Sequence, residues 1–85
     1  MNKKKAVALK YAAGDKAPRV IALGKGEIAE KIIKIANNRG VPIMEKPVLV
    51  EQLVKVEINQ EIPSELYEAV AEILAFLYSL NKKDG

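Results

Sequence analysis

The chain has 85 residues, of which 49% are apolar and 29% charged, with a net charge of +3 and neither Cys nor His. That length admits one domain, and no apolar run approaches the roughly 20 residues needed to cross a bilayer or the pattern of a cleavable leader, so a soluble cytoplasmic protein is expected. Lack of Cys and His excludes disulfides, thiolate and imidazole metal ligands and every Ser-His or Cys-His nucleophile pair, so neither metal nor cofactor is expected.

Residues 1–5 read as a basic, flexible segment, 6–80 as the folded domain and 81–85 as a polar tail. AVALKY (6–11) and RVIALG (19–24) are two strands, joined by a turn-rich connection containing Gly14-Asp15 and Pro18. The second is apolar enough in sequence to be buried on both faces. From Gly24 to Asn38 the period changes to that of an amphipathic helix, with Ile28, Ile32 and Ile35 or Ala36 on one stripe. Its Glu27/Lys31 and Glu30/Lys34 pairs have the favourable i, i+4 order. Gly40 is the expected left-handed cap.

VPIME (41–45) is the expected third strand, making residues 19–45 a βαβ unit. Pro47 starts a second helix with Leu49, Leu53 and Val56 on its buried stripe. Glu57–Glu61 is a polar connector. After Pro63 the longest helix, 64–80, has a stripe of Leu66, Val70, Ile73 or Leu74, Leu77 and Leu80 expected to be buried, and Glu65, Glu68 and Glu72 suit its N-terminal dipole. The expected fold is α/β (α+β), in the order ββαβαα: a small three-stranded mixed sheet covered by three helices. The first strand either flanks the second or lies between it and the third.

One stretch imitates a dinucleotide site. Gly24-x-Gly26-x-x-Ala29 joins a strand to a helix, and Glu45 follows 21 residues after Gly24, where a ribose-binding acid would stand. With a single βαβ unit the second half of such a site is missing. The glycines then serve a tight strand-to-helix turn and Ala29 a close helix–sheet approach. A small nucleotide- or phosphate-binding protein remains the alternative function.

Charge is uneven along the chain. Residues 1–40 carry ten Lys/Arg against three Asp/Glu, and residues 41–81 carry two against seven. Lys3, Lys4, Lys5, Lys10, Lys16 and Arg19 make a candidate basic face, which would suit an adaptor to membrane or nucleic acid. Tyr11 is the one aromatic in the basic half, too few for a stacking platform, so nucleic acid is not an expected partner.

Taken together, AVALKY, the AP-V-IA-G-G pattern, VPIME and IPSELYEAVAEILA resemble the cytoplasmic C-terminal domain of the FlhB/YscU family of type III export switch proteins. The resemblance spans about residues 6–80. It implies a non-enzymatic interaction module of flagellar or type III protein export, recruited to the membrane export gate and partnered by export-apparatus components and early export substrates. Family members cut themselves at an Asn-Pro-Thr-His loop just before the strand matched by AVALKY. Met1-Asn2-Lys3-Lys4 stands there instead, so self-cleavage is expected to be absent and the chain to resemble the fragment left after it. The family's substrate patch falls on Ala17, Pro18, Ala71 and Leu74. Those four residues are either a shallow exposed recognition spot or ordinary helix–sheet core.

Overall fold

The computed structural model describes residues 4–82. Strands β1 (Lys5–Lys10) and β2 (Arg19–Lys25) pair antiparallel, with Ala6 opposite Gly24 and Val7 opposite Leu23. Between Ala8 and Leu9 the register shifts, so that Leu9 faces Val20 and Ile21 is left without a partner. Such a bulge reverses which side chains face inward beyond it. Strict alternation from Leu23 would send Ile21 into the core. Instead Val20 is fully buried and Ile21 is 45% exposed.

The two faces of this ribbon are built differently. One is lined by small residues, Ala6 and Gly24 among them, and receives helix α1 (Glu27–Asn38), whose Ala29 is fully buried. The other presents Val7, Leu9, Val20 and Leu23 to Leu49 and Leu53 of helix α2 (Pro47–Leu53) and to Val70 of helix α3 (Tyr67–Lys82). Bulky aliphatics supply the buried area of the second layer, and small side chains let α1 approach the first.

The boundaries follow from local chemistry. Gly26, at φ 59°, turns the chain from β2 into α1. Helix α1 ends in a Schellman arrangement: Gly40 has φ 70° and the Val41 N–H reaches back to the Ala36 carbonyl at 2.9 Å. Pro47 occupies the first turn of α2. Pro63 precedes a 3₁₀ turn over Ser64–Leu66, which leads directly into α3.

The third strand is not formed. Residues 41–45 are irregular, and the sheet has two antiparallel strands, so neither a mixed sheet nor a βαβ unit exists among the described residues. Pro42 has no N–H to give to a ladder, and Val41 and Ile43 point outward, 51% and 43% exposed. Strand-like pairing comes instead from the polar connector. The Val20 N–H donates to the Gln60 carbonyl at 3.0 Å and the Ile62 N–H to the Pro18 carbonyl at 3.0 Å. The Asn59 N–H donates to the Val20 carbonyl at 2.6 Å, and Arg19 and Glu61 form an isolated antiparallel bridge. Asn59 takes the left-handed φ of 74° at this point, a conformation Asn accepts better than most residues.

A Cβ added at Gly24 would stand 2.8 Å from the Cβ of Ile28, the root of a side chain rather than its mobile end. Gly24→Ala is therefore expected to lower unfolding free energy by about 1–3 kcal/mol, because α1 must lift from the ribbon to admit it. Urea denaturation measures this, and an unchanged midpoint would show that α1 is not held at this distance.

Candidate functional site

The connection between β1 and β2 is a hydrogen-bonded turn. The Asp15 N–H donates to the Ala12 carbonyl at 3.0 Å, and the Asp15 side chain accepts from the Ala12 N–H at 2.9 Å. Gly14, at φ 92°, supplies the left-handed residue. The turn returns the chain so that Ala17 and Pro18 lie buried beneath α3, with Pro18 pinned by its bond from Ile62.

On α3, Tyr67, Ala71 and Leu74 follow i, i+4, i+7 spacing and share one stripe. Together with Tyr11, Lys16, Ala17 and Pro18 they line an open cleft of about 330 Å³. Ala17 and Pro18 form its buried floor, Ala71 is exposed on its wall, and Leu74 is half-buried. Tyr11 and Tyr67, 56% and 43% exposed, stand at the rim with Lys16. The two sequence alternatives for these positions thus meet in one place. Ala17 belongs to the buried core and Leu74 packs against it, while Ala71 keeps an open surface. Tyr11 and Tyr67 were not among the expected site residues, although Tyr67 lies on the helical stripe of Ala71 and Leu74, and Lys16 was expected on a basic face rather than in this cleft.

The other candidates are placed as follows. Lys5 donates through Nζ to Glu51 Oε1 on α2 at 2.6 Å. Arg19 Nη1 donates to the Asn59 carbonyl at 3.0 Å. Lys10 and Lys16 are exposed on the hairpin, and Lys4 lies beside α1 in a separate polar cleft with Glu30 and Lys34. Lys3 lies outside the described residues. The basic residues are thus divided between structural contacts and separate surfaces.

Gly24, Gly26 and Ala29 make the strand-to-helix turn and the close approach. The Gly26 N–H, one of the groups that would cradle a phosphate, donates to the Lys4 carbonyl at 2.7 Å. Glu45 lies in the irregular segment rather than at a strand end. The dinucleotide arrangement is not built.

A sequence profile described as the FlhB HrpN YscU SpaS Family matches residues 3–77. The uncharacterized protein YlqH of Bacillus subtilis is 52% identical over 80 residues, a stretch covering 93% of this chain and 86% of that protein. The flagellar biosynthetic protein FlhB of Aquifex aeolicus is 49% identical over 80 residues, covering 92% of this chain but 23% of that protein. The chain therefore spans less than a quarter of that relative's length. The crystal structure of the cytoplasmic domain of FlhB from Shewanella putrefaciens superposes with a TM-score of 0.87 at 33% identity, over 94% of this chain and 67% of that one.

The bond from Lys5, and then its charge, hold the Glu51 carboxyl below its ordinary value of 4.5. A carboxylate depressed on folding contributes stability that is fully present above 4.5 and lost as pH falls through its lower folded value. Glu51→Gln should therefore lower the melting temperature at neutral pH and low salt. The difference from the unaltered chain should vanish in acid below that range, and should shrink in about 1 M NaCl because the pair faces solvent. Thermal melts across pH and salt measure it.

Proposed function

The chain belongs to the FlhB, HrpN, YscU and SpaS family, and we propose that it is a non-enzymatic interaction module of flagellar or type III protein export. On this reading the domain works at the membrane export gate. It receives early export substrates in the cleft between the hairpin turn and α3. The observation that carries the reading is that Ala17 and Pro18, near one end of the chain, and Ala71 and Leu74, near the other, line one cleft. Its apolar floor of Ala17 and Pro18 suits a single apolar side chain on an extended segment, with Tyr11 and Tyr67 flanking it.

The domain binds without cutting itself. The 85 residues contain no His and no Asn-Pro pair, so the self-cleavage loop described for the family has no counterpart side chains here. Among the described residues, no helix is long and apolar enough to cross a membrane.

Ala71 separates recognition from folding. Ala71→Glu places a charge on an exposed wall of the cleft, so stability should change by no more than about 0.5 kcal/mol. Binding of an early export substrate should weaken at least about tenfold, since a carboxylate must be desolvated against the incoming apolar group. Leu74→Asp should lose binding and also destabilise the domain by more than about 1 kcal/mol, because Leu74 packs against the core cluster. Titration calorimetry with an early substrate, beside urea melts, separates the two effects. Full-strength binding by a folded Ala71→Glu domain would rule out the cleft.

A further inference from the structure

We propose that the cleft between the hairpin turn and α3 prefers segments with an acidic residue two positions from the apolar one, and that Lys16 sets this preference. The specificity rests on the cleft being a recognition site, and adds the chemistry of the segment it takes. Among the residues lining the cleft, Lys16 is the one that carries a charge.

The other cations of the hairpin are engaged or face elsewhere. Lys5 is bonded to Glu51 and Arg19 to the Asn59 carbonyl, and Lys10 does not line the cleft. Lys16 is exposed, and among the described residues its side chain makes no ion pair or hydrogen bond. The carboxylate of its neighbour Asp15 is turned to the Ala12 N–H at 2.9 Å. Lys16 therefore offers its charge, beside the apolar floor, to an incoming group. Across the cleft the exposed Glu68 and Glu72 follow Tyr67 and Ala71 by one residue and share a stripe of α3 at i, i+4 spacing. The two borders thus carry opposite charge, and the glutamates direct an acidic side chain toward the hairpin.

The spacing follows from extended geometry. Successive side chains point to opposite faces, and residues i and i+2 share one face about 7 Å apart. With an apolar side chain on Ala17 and Pro18, the side chain two positions away points to the same surface, within reach of the lysine stem. The side chain at the adjacent position points away.

The test fuses a segment to the C-terminus of the full chain through a Gly/Ser linker of about 20 residues, which spans about 25 Å. Helix α3 rises roughly 16 Å from Ala71 to Lys82, so the segment reaches the cleft and is held near it. Each segment has one Leu in a Gly/Ser/Thr background, with Glu, Gln or Lys one or two positions from it on either side. Amide shifts of Ala17 and Ala71 report the ratio of filled to empty cleft. At low salt, Glu two positions from Leu, on one side, should raise that ratio about threefold over Gln, as suits an exposed ion pair. The gain should disappear in about 1 M NaCl, and Lys16→Glu should reverse the order so that the Lys segment fills best. Three results would overturn the proposal: no gain from Glu at any position, an equal gain from adjacent Glu, or a gain that survives Lys16→Gln. If Ala71→Glu still empties a filled cleft in those cases, recognition by the cleft stands without this specificity. A cleft that no segment fills would remove both.

Discussion

Three backbone hydrogen bonds between the start of β2 and residues 59–62 hold the junction on which the rest of the domain depends. Val20 both donates and accepts there, to Gln60 and from Asn59, and Ile62 closes the set on Pro18. Because backbone groups buried without partners are costly, this pairing lets Val20 and Ile62 be buried almost completely at the centre of the core cluster. It also fixes two distant parts of the chain against each other. Pro18 ends the hairpin connection, and Ile62 lies one residue before the Pro63 that precedes the turn into α3. The position of the cleft is thus set by main-chain bonds below it rather than by the side chains that line it.

The bulge at Ile21 works with this junction. It lets one strand serve two incompatible demands, small residues toward α1 and large ones toward α2 and α3. Gly24 and Ala6 share the α1 face, while Leu23 and Val20 share the other with the register break between them. An unbroken strand would carry Ile21 inward and rotate Val20 away from Gln60. The local irregularity and the clamp therefore depend on each other.

Much of this was legible because turns and caps have local chemistry. The two strands, the Gly40 cap and the helix begun at Pro47 follow from a few neighbouring residues each, as does the close approach at Gly24 and Ala29. The third strand was misread because VPIME has the composition of a strand, whereas strand formation requires a partner that composition does not name. Conversely, Asn59, Gln60 and Glu61 are polar and carry no strand signal, and their pairing is decided by where the chain must pass. The four cleft positions were named through the family resemblance. Helical spacing alone joins Ala71 to Leu74 and extends to Tyr67, but no local pattern joins either to Ala17. That connection runs through the Ile62–Pro18 bond, over 40 residues apart in sequence.

The dimensions of the cleft bear on what kind of recognition it can perform. Burying one Val- or Leu-sized side chain contributes about 1.5–3 kcal/mol, less than the several kcal/mol that association costs in lost rigid-body freedom. A floor of Ala17 and Pro18 offers no buried charge or hydrogen-bonding side chain to enlarge that contribution. On the proposed reading, the cleft discriminates among segments already held nearby and does not capture them from dilute solution. Affinity must then come from a second contact, and tethering at an export gate supplies it through effective concentration rather than through further surface. A reader of this kind releases its segment as readily as it accepts it, which is what a site on a transit route requires.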